Sequence, residues 1–283
     1  SVALTALTTG ADNIAIGMNA MITADGAESD NIAIGRNAMY SANHDSCVKN
    51  VFIGSYAGDA IAAYNTSQNV GIGYAALSGA MVDAADNNVA VGYQAGLVVD
   101  SGTGNTFIGT TAGEVCTSGS NNICLGNAAG TANSNLTLTN GDNRIVMGND
   151  DISNCYIEAD WTIGSDVRDK TDIETLPDKA GLNFVNKMRP VTYKWDKRSS
   201  YYPHGHEKYG ERDHSKKSTE HQVGFIAQEL KEVEKSIGWE DDHIVDTNNK
   251  DKYQLMNGQI TPILVKAIQE LSQQVEDLKA KIN

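Results

Sequence analysis

The chain has 283 residues, 40% of them hydrophobic, with 36 acidic against 22 basic side chains. That length supports one or two domains with sizeable interiors, and the apolar content excludes wholesale disorder. A formal charge of −14 argues against a nucleic-acid partner. No apolar run approaches the roughly 18 residues of a membrane-spanning helix, so no membrane insertion is expected.

The chain opens on Ser1 with no charged-then-apolar leader, so it reads as a piece of a longer protein whose targeting is not legible. Composition breaks after Gly164. Residues 1–164 hold 21 of the 27 glycines, none of the four prolines, and three basic residues (Arg36, Lys49, Arg144) against 15 acidic ones. Residues 165–283 carry 19 basic and 21 acidic residues, all the prolines and five of the six histidines. Two domains, 1–164 and 165–283, are expected to do different jobs. Cys47, Cys116, Cys124 and Cys155 all lie in the first domain at spacings that match no zinc pattern, and they read as small buried hydrophobes.

The first domain is a repeat array. Gly17, Gly35, Gly54, Gly73, Gly92, Gly109 and Gly126 follow one another at 17 to 19 residues. Four residues before each stands an asparagine: Asn13, Asn31, Asn50, Asn69, Asn88, Asn105 and Asn122. An aliphatic residue precedes each glycine, and an alanine follows three residues later, from Ala20 to Ala129. A degenerate eighth unit runs Asn143 to Gly148. Fixed positions at a fixed period mean a stacked architecture, and units this short and rich in Gly and Asn exclude paired helices. Alternation of Ile14 with Ile16, repeated along the array, is the period-2 mark of a short strand with one buried face. Glycine then permits a positive φ or a close backbone approach at a corner, and asparagine can bond neighbouring backbone or stack as a ladder. The pattern resembles the β-roll of trimeric autotransporter adhesin heads and the Gly/Asn-rich repeats of phage tail fibres. Units longer than a minimal coil imply loops at 22–30, 40–49, 59–68, 78–87 and 97–104, expected as acidic, solvated turns, and no receptor-binding residue is singled out among them.

Beyond the array, Arg189 to Trp195 reads as a strand with Val191, Tyr193 and Trp195 on one face. Residues 223–237 read as an amphipathic helix with a stripe of Ile226, Leu230, Val233 and Ile237. Leu264, Ile268, Leu271, Val275, Leu278 and Ile282 alternate steps of four and three, which predicts a coiled coil over 263–282. Segment 196–222 is polar, rich in His and Tyr, and without strong periodicity.

Four motifs occur in order: Ser-Asp-x-Arg-x-Lys-x-Asp-Ile at 165–173, Arg-Pro-Val-x-Tyr-x-Trp at 189–195, Val-Gly-Phe-Ile-Ala-Gln-Glu-Leu at 223–230 and Ala-Ile-Gln-Glu-Leu at 267–271. Together they resemble the endosialidase-type intramolecular chaperone that ends many phage tail spikes and fibres. The resemblance implies a domain that trimerises, helps three β-rich stalks wind together, and then cuts itself off between Gly164 and Ser165. It implies Ser165 as nucleophile and Lys170 as base, with Asp166, Arg168 and Asp172 as supporting residues of the motif. It also implies that segment 196–222 belongs to arms around the stalk.

A serine needs a base, and lysine can act as one only when neutral, which calls for burial or a nearby cation. Arg168 would help, whereas Asp166, Asp169 and Asp172 would oppose. An offset of five puts the pair on no common helical face and on opposite faces of a strand, so either a turn or a dyad assembled between subunits is required. His204, His206, His214 and His221 lack convergent spacing, so no metal and no cofactor is expected.

The expected fold is a two-domain α+β protein, a trimeric β-solenoid or β-roll followed by a mixed α/β chaperone domain that ends in a coiled-coil helix. The expected function is the C-terminal region of a phage tail fibre or spike. Its partners are two further copies of itself and a host cell-surface receptor, with a glycan as candidate. The shaft stays on the virion and the chaperone is released in the host cytoplasm. The alternative is a trimeric bacterial surface adhesin whose last domain is a non-cleaving cap.

Overall fold

The computed structural model describes residues 3–4, 8–61, 66–81, 85–132, 134, 136–202 and 205–282. It divides into two compact units: Ser1–Cys155 with Tyr202–Gly210, and Tyr156–Tyr201 with Glu211–Asn283. The geometric division at Cys155 lies upstream of the composition break at Gly164.

The first unit is a parallel β-solenoid. Each coil contributes one strand of three residues: β1 (Ile14–Ile16), β2 (Ile32–Ile34), β3 (Val51–Ile53), β4 (Val70–Ile72), β5 (Val89–Val91), β6 (Thr106–Ile108), β7 (Ile123–Leu125) and β8 (Ile145–Met147). They form one sheet in chain order, and Ile14, Ile32, Val51 and Val70 stand opposite one another down the stack. Parts of the loops expected at 59–68 and 78–87 lie outside the described residues.

Strands this short make few ladder bonds, and the repeated asparagines supply the rest. Asn50 Oδ1 accepts from the Asn69 backbone N–H at 3.0 Å, and Asn69 Oδ1 accepts from the Asn88 N–H at 2.9 Å. Each side-chain amide also donates to its own loop, as Asn69 Nδ2 does to the Ala85 carbonyl at 2.9 Å. Asn31 through Asn122 are fully buried, so every one of these bonds satisfies a group cut off from water. In the eighth unit Arg144 takes the asparagine position. Its N–H still bonds Asn122 Oδ1 at 3.0 Å, but no buried amide continues the column.

The glycine that follows each strand is required twice over. At Gly35 φ is +136°, and a Cβ there would sit 2.5 Å from the Gly54 carbonyl oxygen in the next coil. The alanine three residues on is fully buried in all seven units.

The strands have one buried face, as their alternation predicts, but it belongs to the middle residue. Ala33, Phe52, Ala90, Phe107 and Cys124 point inward and are fully buried, while the flanking aliphatics face out, with Ile16 58% and Ile108 43% exposed. The interior is too narrow for large side chains at every level. Where the strand supplies Ala33, Met39 six residues later fills the space; where it supplies Phe52, that later position is Gly58. A Cβ on Gly58 would come within 2.7 Å of the Phe52 ring. In the fifth coil both positions are small, Ala90 and Gly96, and Leu77 and Phe107 of the neighbouring coils close that level, so volume is balanced along the stack.

Loop carboxylates cap backbone N–H groups of the preceding coil. Asp45 accepts from Ala27 at 2.9 Å, Asp86 from Ser67 at 2.6 Å, and Asp142 from Ser120 at 2.7 Å. Cys47, Cys116 and Cys124 are buried free thiols, whereas Cys155 is exposed and is no core residue.

In the second unit a short helix α1 (Leu182–Val185) packs on the long terminal helix α3 (Ile260–Ile282). The core joins Ala180, Phe184, Leu230, Val233, Ile237, Ile244, Val245, Ile260 and Ile263. Strand β9 (Val191–Tyr193) pairs antiparallel with β10 (Gln222–Gly224), and β11 (Val245–Asp246) with β12 (Gln254–Leu255). Two expectations are corrected here. Trp195 lies beyond β9, 53% exposed, with its ring edge-on to Tyr193. The segment read as a helix from residue 223 begins as β10, because residues 222–224 pair with β9. Helix α2 covers only Ala227–Ser236, with Ile226 as its N-cap. Helix α3 starts at Ile260, ahead of residue 263, because Pro262 falls in the first turn, where no backbone donor is needed.

Two outcomes test this account. Asn69→Ala orphans the Asn88 N–H and the Ala85 carbonyl, so the solenoid should lose about 1–3 kcal/mol in denaturant unfolding. Burial pushes the Cys47 and Cys124 thiols up to about 12 and Cys116 up to about 11. At pH 8 these three are therefore neutral and enclosed, and a thiol reagent should label Cys155 quickly and the others only after unfolding.

Candidate functional site

The predicted site residues sit on a turn that the local sequence builds. Asp166 caps a 3₁₀ turn, Val167–Asp169, accepting from the Arg168 N–H at 2.9 Å. The same carboxylate holds the Arg168 guanidinium, with Nε at 3.0 Å and Nη2 at 2.6 Å. Backbone bonds from Asp169 to Asp166 and from Lys170 to Val167, both 3.2 Å, close the turn. The chain reverses, and Lys170 Nζ donates to Ser165 Oγ at 2.6 Å. A turn within one chain thus brings the two side chains into contact.

Gly164 stands immediately before the serine in open surroundings, with no heavy atom within 4 Å of where a Cβ would be. Asp172 has a left-handed φ of +51° and forms part of the rim of an open cavity of about 370 Å³. Leu176, Trp239, His243 and Pro262 also line it. Arg168 is paired with Asp166 and directed to it, so its charge is not spent on Lys170. The arrangement places a hydroxyl in contact with a lysine amine, directly after an open glycine. Both Ser165 and Lys170 are exposed, so a single chain does not exclude water from the pair.

Other clusters hold the unit together. Arg189 and Glu229 form a fork that ties the approach to β9 to helix α2. Asp196 accepts from the Tyr201 hydroxyl at 2.7 Å and lies 2.6 Å from His214 Nδ1. Its carboxyl is held below the ordinary range first by that hydroxyl, and further by His214 and Arg212. Lys231 reaches Asp242 at 2.9 Å and the Asp241 carbonyl at 2.9 Å, fastening the 240–247 loop to α2. Sequence reading missed these pairs because their members are 18 to 40 residues apart or lie in aperiodic segments. Of the histidines weighed as ligands, His204 lies outside the described residues, His206 stacks on Tyr202, His214 is bonded to Asp196, and His221 is exposed. Among the described residues no group of three or more His, Cys, Asp or Glu is gathered for a metal.

Helix α3 keeps Ile263 and Ala267 in the core, while its a/d seam faces out, with Ile268 63% and Leu278 58% exposed. No helix among the described residues is long and apolar enough to cross a membrane.

Residues 165–239 match the family model described as chaperone of endosialidase. The match begins at Ser165 and ends at Trp239, so it takes in the turn, β9, β10 and α2. This region is therefore similar to a self-cleaving chaperone domain, and it follows a parallel β-solenoid. No curated protein and no solved structure matches the chain.

The Arg168 pairing keeps the Asp166 carboxyl below the ordinary aspartate value of 3.8. A depressed carboxylate stabilises the turn above its unfolded pKa and loses that contribution as pH falls through the folded one. The Arg168 amide signal should therefore shift in acid with a midpoint below 3.8. In Asp166→Ala that transition should vanish, and the amides of residues 168–170 should exchange faster.

Proposed function

We propose that this chain is the C-terminal part of a phage tail fibre or spike, a homotrimer whose solenoid serves as shaft and receptor-attachment region. Residues 165–283 act as its intramolecular chaperone and remove themselves by cutting between Gly164 and Ser165. The observation that carries the reading is the 2.6 Å contact of Lys170 Nζ with Ser165 Oγ, directly after the open Gly164. The match of residues 165–239 to the chaperone family supports it. The exposed seam of α3 supports self-association, since an apolar a/d stripe left in water is the half-built form of a coiled coil.

The chemistry follows from where the serine stands. Ser165 lies on the C-terminal side of the bond to be cut, so its Oγ attacks the carbonyl carbon of the residue before it. Neutral Lys170 takes the hydroxyl proton as the C–O bond forms. The C–N bond breaks, and the proton passes to the departing nitrogen, which becomes the free α-amine of Ser165. The product is an ester of Gly164 on Ser165. Water hydrolyses it to a Gly164 carboxylate and a restored serine, and no external oxidant or cofactor takes part. Lysine serves as a base only when water is kept from it. The pair is exposed in one chain, so cover from the assembled trimer is the condition for turnover. Shaft and chaperone then part, the shaft remaining on the virion and the chaperone in the host cytoplasm.

A denaturing gel of freshly expressed protein tests this. Wild type should give two fragments, 1–164 and 165–283. Ser165→Ala and Lys170→Ala should each leave one intact chain, with the same secondary structure and the same trimer mass in light scattering. Cleavage at Gly164 that persists in Ser165→Ala removes the nucleophile assignment. A wild-type chain that is never cut favours a trimeric surface adhesin with a cap.

A further inference from the structure

The two residues that follow each solenoid glycine stack coil on coil into one ridge. The second residue's N–H bonds the first residue's carbonyl in the coil before: Tyr56 to Arg36 at 2.9 Å, Ala75 to Ser55 at 3.0 Å, Gln94 to Tyr74 at 2.8 Å and Thr111 to Tyr93 at 2.8 Å. None of the residues in these two positions of the seven units is acidic, and Arg36 is the one charged group among them. The ridge is thus free of carboxylates, although residues 1–164 hold 15 acidic side chains against three basic ones.

Three tyrosines make a continuous run on it. The rings of Tyr74 and Tyr93 stack, with 5.5 Å between centroids and 12° between planes, and Tyr56 meets Tyr74 edge-on at 5.6 Å. The Arg36 guanidinium lies 5.6 Å over the Tyr56 ring at one end. Tyr74 is 48% exposed and Tyr93 50%. Among the described residues none of the three phenol hydroxyls has a hydrogen-bond partner. Tyr56 is also held at a φ of +62°, in the left-handed region where Asn19 and Asn37 occupy the same position of their coils. Asparagine suits that region better than an aromatic residue does, so local backbone preference does not account for the tyrosine. Its effect is to lengthen the run of rings by one coil.

We propose that this run binds a neutral glycan chain lying along the solenoid. The proposal rests on the receptor-attachment role put forward for the solenoid, and gives that role a place and a ligand class. Each ring offers apolar carbon to sugar C–H groups and a hydroxyl that both donates and accepts, and a sugar presents the same two kinds of surface. Ser55, Gln94, Thr110 and Thr111 beside the rings add uncharged hydrogen-bonding groups. Coils rise by ~4.8 Å, close to the advance per unit of an extended pyranose chain, so successive rings meet successive sugars. The acidic excess of residues 1–164 repels sialylated or sulfated chains. A protein partner would need ~800 Å² per side around an apolar centre, whereas partly covered rings among amides and hydroxyls make a narrow, polar strip.

The test measures binding of the expressed protein to immobilised neutral oligosaccharides of hexoses and N-acetylhexosamines, from disaccharide to hexasaccharide, beside sialylated and sulfated ones. Wild type should bind the neutral chains, and more tightly from the trisaccharide upward, because the run spans three coils. Tyr74→Ala and Tyr93→Ala should each weaken binding about tenfold. Tyr74→Phe keeps the ring and should lose less, and Tyr40→Ala, 39% exposed but off the ridge, should bind as wild type does. Circular dichroism and assembled mass should be the same in all four variants. The inference falls if no neutral chain binds, if only acidic chains bind, or if the alanine variants bind as well as wild type. It falls too if those variants lose assembled mass, since the ridge is then a contact between copies. Cleavage of the same protein is read on a denaturing gel. A cut chain that binds no neutral glycan removes this inference alone, whereas an uncut chain that binds through Tyr74 and Tyr93 removes the self-cleaving fibre reading and leaves the ridge as a glycan site.

Discussion

A buried column of amide side chains governs the solenoid. A strand of three residues cannot fix its neighbour's register by backbone bonds alone. Each asparagine adds a carbonyl oxygen that takes the next coil's N–H and an amide that satisfies its own loop. Because the column lies out of water, a slipped coil would leave buried donors and acceptors unpaired on both sides. Everything else in the shaft follows from that alignment. The glycines must approach carbonyls, the middle strand residues must share one interior, and the flanking aliphatics must line up as continuous columns.

The second unit is held by different means. Its core is small, and charged forks stitch distant segments over it. Lys266 bridges Asp178 at 3.0 Å and Glu270 at 3.4 Å, and Glu270 in turn accepts from the Leu182 N–H at 2.8 Å. The Ser165–Lys170 turn needs none of this. It is made within six residues by Asp166 and Arg168, so its geometry forms locally, whereas the proposed chemistry needs a dryness that one chain does not supply. Under the proposed function, separating shape from environment in this way keeps the cut from running ahead of assembly.

Much of this was legible in the sequence. The period and the asparagine and glycine positions needed only alignment of the chain on itself, because each position recurs for a fixed physical reason. The direction of the strand faces was not legible. Ile14 and Ile16 look like core residues by hydropathy, and only the demand for a narrow interior, met by Ala33 or by Phe52 with Gly58, turns them outward. Residues 222–224 lost their helical reading to a partner strand some thirty residues upstream, a non-local pairing that a periodicity cannot contain. The Ser165–Lys170 contact was legible as a motif, but the turn that joins the two rests on a cap and a guanidinium fork that spacing alone does not specify.

The recurrence of the coil has an evolutionary consequence. Ala33 with Met39, and Phe52 with Gly58, exchange volume within a coil, while Gly71 and Gly96 leave room for side chains of neighbouring coils. The backbone contacts between neighbours recur through most of the array: an asparagine oxygen, a glycine carbonyl and three strand residues. Such a unit can be duplicated or deleted whole with both cut ends still matching. Solenoid length is then open to change by whole coils, while the second unit is left untouched.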